Sequence, residues 1–211
     1  MIPALKIDRE KSAFFLTLVL AVLFIVFGAL KGTDITYGVA TSSTVTTTVT
    51  ATVNPVISIS ASASVDLGAV TAGTPVSNTG DVTVTSNSEE GWKLYNYADN
   101  YMTKTTTPYQ SITNTPAGTP DAPAPWTAGT TKGLGFSLSG PTNEAKWHDG
   151  AGNFNYSSFT TTSAGAQLVN NYTTWSNQPE NLTVLYALDV DSGQLSGTYR
   201  TVISWFAVTN V

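Results

Sequence analysis

From Thr44 to Val65 the chain reads TVTTTVTATVNPVISISASASV, and from Val45 onward its odd positions are Val, Thr, Val, Ala, Val, Pro, Ile, Ile, Ala, Ala and Val. The even positions between them are Thr, Asn or Ser, with Val56 the one exception. Side chains alternate across a strand, so this period predicts an extended segment with one apolar edge and one hydroxyl edge, roughly 70 Å long if unbroken. Further runs predict strands: VTVTS (82–86), WKLYNY (92–97) with Trp92 and Leu94 on one face, and LGFSLS (134–139) with Leu134, Phe136 and Leu138 on one face. LTVLYALDV (182–190) aligns Leu182, Val184, Tyr186, Leu188 and Val190, and TYRTVISWFAV (198–208) aligns Tyr199, Thr201, Ile203, Trp205 and Ala207, while Val202, Phe206 and Val208 make its other face partly apolar, as in a central or covered strand.

Turn residues separate these runs: TAGTP (71–75), NTG (78–80), NSEEG (87–91) and DSGQLSG (191–197). No apolar spacing of three and four is sustained over three turns, so no helix is predicted beyond the N-terminus. The pattern predicts an all-β, antiparallel β-sandwich of Ig-like or jelly-roll type, preceded by an N-terminal signal or anchor helix. In LSGTYRTVIS (195–204), a Tyr entering a late strand after a Leu and a Gly-containing turn is similar to the tyrosine corner of Greek-key sandwiches. Pro108, Pro116, Pro120, Pro123 and Pro125 make 101–131 a predicted Pro/Thr-rich loop, and 140–165 is loop-rich with room for one short hairpin.

The N-terminus differs in character. Lys6, Arg9 and Lys11 precede an 18-residue apolar run, 13–30, broken only by Thr17 and Gly28, which reads as an export signal. Cleavage, with Gly38 and Ala40 suiting a cut after Ala40, competes with retention as a membrane anchor through 13–30. Residues 1–40 are thus signal or anchor, 41–55 an extended strand or stalk, and 56–211 the sandwich. Beyond residue 40, five Lys and Arg face eleven Asp and Glu, a net −6, with no basic cluster, so nucleic acid is excluded as a partner. There is no cysteine, and the 55 Ser and Thr of 211 residues, with only 11% charged residues, imply a hydroxyl-rich surface suited to a secreted, extracellular, cell-surface protein.

Catalytic patterns are sparse. The single His148 precedes Asp149 and Gly150 in a polar segment, and no Gly-x-Ser-x-Gly elbow or cofactor-binding pattern occurs. Glu89 and Glu90 are adjacent, which on a strand sends them to opposite sides. Asp189 and Asp191 have the spacing of calcium ligands without the remaining oxygens, and a turn fits them equally. Sequons begin at Asn155, Asn171 and Asn181, about the number chance would supply. Trp92 and Trp205 lie in predicted strands as core, whereas Trp126, Trp147 and Trp175 lie among loop residues, where they either stack on a glycan or fold back over the sandwich.

Two segments resemble a known family. SVDLGAVTAGTPVSNTGDVTVTSNSEEGWKLYNYAD resembles the first half of the WxL-type wall domain of Gram-positive bacteria, with Gly91, Trp92 and Leu94 as its Gly-Trp-x-Leu, and LTVLYALDVDSGQLSGTYRTVISWFAV resembles the second half. The second motif here is Trp205, Phe206, Ala207, lacking the Leu. The resemblance implies wall polysaccharide as a partner, contacted through Trp92 and Trp205. An export signal, a Thr/Val strand and a cysteine-free sandwich are also similar in architecture to TasA-type biofilm fibre subunits and archaeal bundling pilins. That resemblance implies assembly by donation of an N-terminal strand.

A 70 Å strand does not fit inside a domain of about 170 residues, whose diameter is roughly 40 Å. Either the chain bends at Asn54-Pro55, or residues 44–53 pair elsewhere, offering Val45, Val49, Ala51 and Val53 to a neighbour in a head-to-tail homopolymer. The sequence therefore points to a non-enzymatic subunit of a cell-surface fibre, pilus or surface layer. The alternative is a binding module for wall polysaccharide or glycan.

Overall fold

The computed structural model describes residues 17–21, 43–112, 118–141, 143–176 and 178–210. Two compact units, Met1–Ala51 and Thr52–Val211, divide the chain. In the first, residues 17–21 are helical and 43–51 form no regular element, with Val45 and Val49 85% and 88% exposed. The remainder of the 13–30 run and the cut after Ala40 fall outside the described residues. Among the described residues no helix is long and apolar enough to cross a membrane.

The second unit is all-β. Its strands are β1 (Ile57–Ala61), β2 (Val76–Ser86), β3 (Trp92–Ala98), β4 (Thr103–Lys104), β5 (Ala124–Pro125), β6 (Gly133–Ser139), β7 (Asn155–Ser158), β8 (Gln167–Tyr172), β9 (Glu180–Asp189), β10 (Tyr199–Arg200) and β11 (Ile203–Thr209). All pair antiparallel: a six-stranded sheet in the order β1-β2-β9-β6-β7-β5, a three-stranded sheet β11-β3-β8, and a small β10-β4 pair. Alternation decides which faces meet. Val82 and Val84 of β2, Leu182 and Val184 of β9 and Phe136 and Leu138 of β6 join Trp92 and Leu94 of β3 and Val169 of β8 in one buried cluster. The two main sheets therefore share a core in a sandwich-like arrangement.

Several sequence expectations change in the structure. Asn78-Thr79-Gly80 is no turn but part of the first half of β2, in register with Tyr186, Leu185 and Val184. The Asn78 amide donates to Asp66 O at 2.7 Å, and a side chain at position 80 would run into Val65, so turn-forming residues serve here to bring 62–66 close to the strand. The run 198–208 is broken at Thr201-Val202: β10 pairs with β4, whereas β11 pairs with β3. Asp99 holds the break through Val202 N at 3.0 Å and Thr201 Oγ1 at 3.0 Å. Strand β6 is buried on both faces, not one, because Trp126 lies over Gly135 on the side away from the core cluster. The 101–131 stretch contributes β4 and β5, its residues 113–117 lying outside the described set.

Two local features fix the ends of the sandwich. Tyr199 Oη donates to Leu195 O at 2.8 Å, closing the turn before β10 as a tyrosine corner does. Asp189, wholly buried at the end of β9, accepts from Gly73 N (2.9 Å), Val190 N (2.7 Å) and Lys132 Nζ (2.9 Å), tying the 71–75 turn and the 127–133 loop to one carboxylate.

Candidate assembly surface

The sandwich is incompletely closed along one side. β1 is hydrogen-bonded to β2 only and β11 to β3 only, so each is the terminal strand of its sheet. The two lie beside each other without a ladder between them. The apolar phase of β1 is correspondingly uncovered: Ile57 is half-buried, Ile59 is 36% exposed and Ala61 is exposed. A sheet edge with unpaired N–H and C=O groups beside apolar side chains is a template for another strand.

At one end of this seam a cavity of about 430 Å³ opens between residues 61–67 and 200–205, with Leu134, Tyr186 and Trp205 among its lining and Val65, Met102 and Val202 beside them. A second cavity, about 710 Å³, adjoins it through the shared Val65, Leu67 and Met102 and has a more polar lining that includes Asp191, Gln194 and Tyr199. The first takes apolar surface from Tyr186 of β9 and from Ile203 and Trp205 of β11, with Ser62, Ser64, Arg200 and Thr201 also in its lining. Burial pushes the Tyr186 hydroxyl up to about 12, against the Trp205 indole N–H that donates to it, so it stays neutral at any physiological pH.

The other end of β1 is held by Asn87. Its Oδ1 accepts from Val56 N at 2.6 Å, its Nδ2 donates to Asn54 O at 3.3 Å, and its own N donates to Val56 O at 3.2 Å. The Asn87 side chain thus acts as one more strand residue, extending the β1–β2 ladder past Ser86, its last paired residue, and pairing with the chain on both sides of Pro55, which has no N–H to offer. Residues 54–56 are thereby aligned with β1 as it leaves the sandwich. Sequence reading placed Asn87 only in a turn; a side chain that imitates a peptide unit leaves no periodic signal.

The residues singled out in the sequence are dispersed. Val53 is 81% exposed and Ala51 is exposed, as are Val45 and Val49. Trp92 and Trp147 are enclosed in the core, which removes both as stacking surfaces. Trp147 is a correction to the loop assignment: a short 3-10 turn (Ala145–Trp147) drives its ring against Phe136, and its Nε1 donates to Val169 O at 3.1 Å. Trp126 packs edge-on to Tyr156 over Gly135, and Trp205 is half-buried in β11, opposite Asn96 of β3. Trp175 alone of the five is exposed. Gly91 of the Gly-Trp-x-Leu motif has φ +80° and sits against Tyr172 O where a Cβ would collide, a conformation and a contact that require glycine.

Asn181 is exposed on β9, its Oδ1 accepting from Thr83 Oγ1 at 3.0 Å, whereas Asn155 donates its amide to Lys146 O at 3.0 Å and Asn171 is half-buried near Asn210. Asp189 is engaged by Lys132 while Asp191 is exposed in the 191–197 turn, and among the described residues no group of three or more His, Cys, Asp or Glu is placed to hold a metal ion. His148 packs on Phe154 with ring centres 5.0 Å apart. Glu89 and Glu90 are exposed in the turn before β3. Comparison with protein-family models and with characterised proteins finds no match to this chain.

Proposed function

We propose that the chain is exported through its N-terminal apolar run and serves outside the cell as a non-enzymatic structural subunit, an Ig-like sandwich that joins a cell-surface fibre, pilus or surface layer by donating residues 44–53 to a neighbour. The observation that carries this reading is the exposure of Val45, Val49 and Val53, all above 80%, on a segment with no charged residue and a period of two interrupted only by Thr47. Burying three such valines against a neighbour is worth about 1.5–3 kcal/mol each, and backbone pairing adds to it. Replacing Val45, Val49 and Val53 together by Asp puts three charges on that edge. The triple variant is expected to stay monomeric in sedimentation under conditions in which the parent chain sediments as polymer; polymer from both would overturn the reading.

The second reading, a surface module for wall polysaccharide or glycan, is favoured by Trp175, a residue 55% exposed. An exposed indole is a stacking platform for a sugar ring. Retention on polysaccharide columns that is lost in Trp175→Ala would favour this reading over the first.

A further inference from the structure

Resting on the strand-donation reading, we infer that the acceptor is the β1/β11 seam with the 430 Å³ cavity at its end, that its occupant is residues 44–53 of a second copy, and that the contact is head-to-tail. The polarity follows from where the two ends of β1 lie. Its first residue, Ile57, follows Val56, which is clamped to Asn87, and Ser88 Oγ donates to Asn210 O at 3.0 Å, so β1 begins beside the finish of β11. Its last residue, Ala61, lines the cavity together with Ile203, where β11 begins. β1 and β11 therefore run antiparallel, with the chain entering at one end of the seam and the cavity opening at the other. The Asn87 clamp keeps residues 54–56 in line with β1, at the end of the seam opposite the cavity.

A donor leaving at one end and an acceptor opening at the other form a heterologous contact, which repeats without closing. The chemistry matches. Residues 43–56 carry no charge, and the acceptor presents the uncovered Ile59 and Ala61 of β1 and the half-buried Ile203 and Trp205 of β11 beside unpaired strand edges. Ten residues of strand reach about 33 Å, more than the length of the five-residue β1.

The chain has no cysteine, so introduced thiols have no native competitor. The test places Cys at Val45, Val49 or Val53, each combined with Val202→Cys on the exposed rim of the cavity, and compares them with the same donors combined with Asn181→Cys on the outer face of the six-stranded sheet. Oxidation of the assembled protein is expected to give a ladder of disulfide-linked oligomers with V202C for at least one donor position and none with N181C. A linked monomer would mean that the segment fills its own cavity, and overturns the inference. Fibres that form normally yet link only through N181C, or through neither, place the acceptor elsewhere and overturn the inference while strand donation stands. Absence of any polymer from the parent chain removes both.

Discussion

Lys132 Nζ lies 2.9 Å from Asp189 Oδ2, with the lysine side chain 11% exposed and the aspartate wholly enclosed. Among the described residues the ammonium is the one formal positive charge on a carboxylate that otherwise relies on backbone N–H groups from the 71–75 turn, the 127–133 loop and Val190. Lys132→Met keeps the aliphatic stem and leaves that carboxylate buried without a counter-charge. A loss of about 3 kcal/mol in urea unfolding is expected, since breaking a buried pair costs far more than the pair contributes as a whole.

The same carboxylate sets an acid limit. Burial alone would raise its proton affinity, but Lys132 and the N–H groups of Val190, Gly73 and Gly129 hold Asp189 below the usual carboxylate range. The unfolded chain then takes up its proton first as pH falls. The contribution is complete above about pH 4 and is lost below it, as pH falls through the folded-state value. Asp99, an exposed residue, is held low against partial desolvation by hydrogen bonds from Val202 N and Thr201 Oγ1, and adds in the same direction. Melting temperature is expected to be level from neutrality to about pH 5 and to fall below pH 4. In Asp189→Asn that acid slope should be shallower; an unchanged slope would show that Asp189 does not set it.

Gly91→Ala is expected to lose at least about 3 kcal/mol, because it adds a left-handed φ penalty to a collision with the Tyr172 carbonyl. Folding yield and thermal melting measure it directly. A melt within a degree of the parent would show that the β3–β8 junction can open at little cost.

The tryptophans separate stability from binding. Trp147→Ala should cost about 3–5 kcal/mol, since it empties a core site against Phe136 and leaves Val169 O without its donor. Trp175→Ala should change stability by less than about 0.5 kcal/mol. Paired melting curves check both expectations, and a large loss in Trp175→Ala would mean that the exposed ring is structural.

Much of the sandwich was legible because its strands keep one phase: β3, β6, β9 and β11 all fall on runs read directly from alternation. Strands β7 and β8 were not read, since Asn155–Ser158 and Gln167–Tyr172 are mostly polar and pair through position in the sheet. Asn78-Thr79-Gly80 shows the opposite failure, turn residues drawn into a strand by the partner on β9. Of the candidate surface, the exposed valine edge at 45–53 was visible as periodicity. The seam and its cavity were not, because they arise where two sheets meet, from residues far apart in the chain.

The most direct measurement compares chains 41–211 and 56–211 by negative-stain microscopy and sedimentation over a range of concentrations. Fibres from the longer chain only, with the shorter one monomeric and able to bind a peptide of residues 41–55, are the expected result. Fibres from both, or monomers from both at equal melting temperature, would contradict strand donation, the latter leaving 44–53 as a stalk.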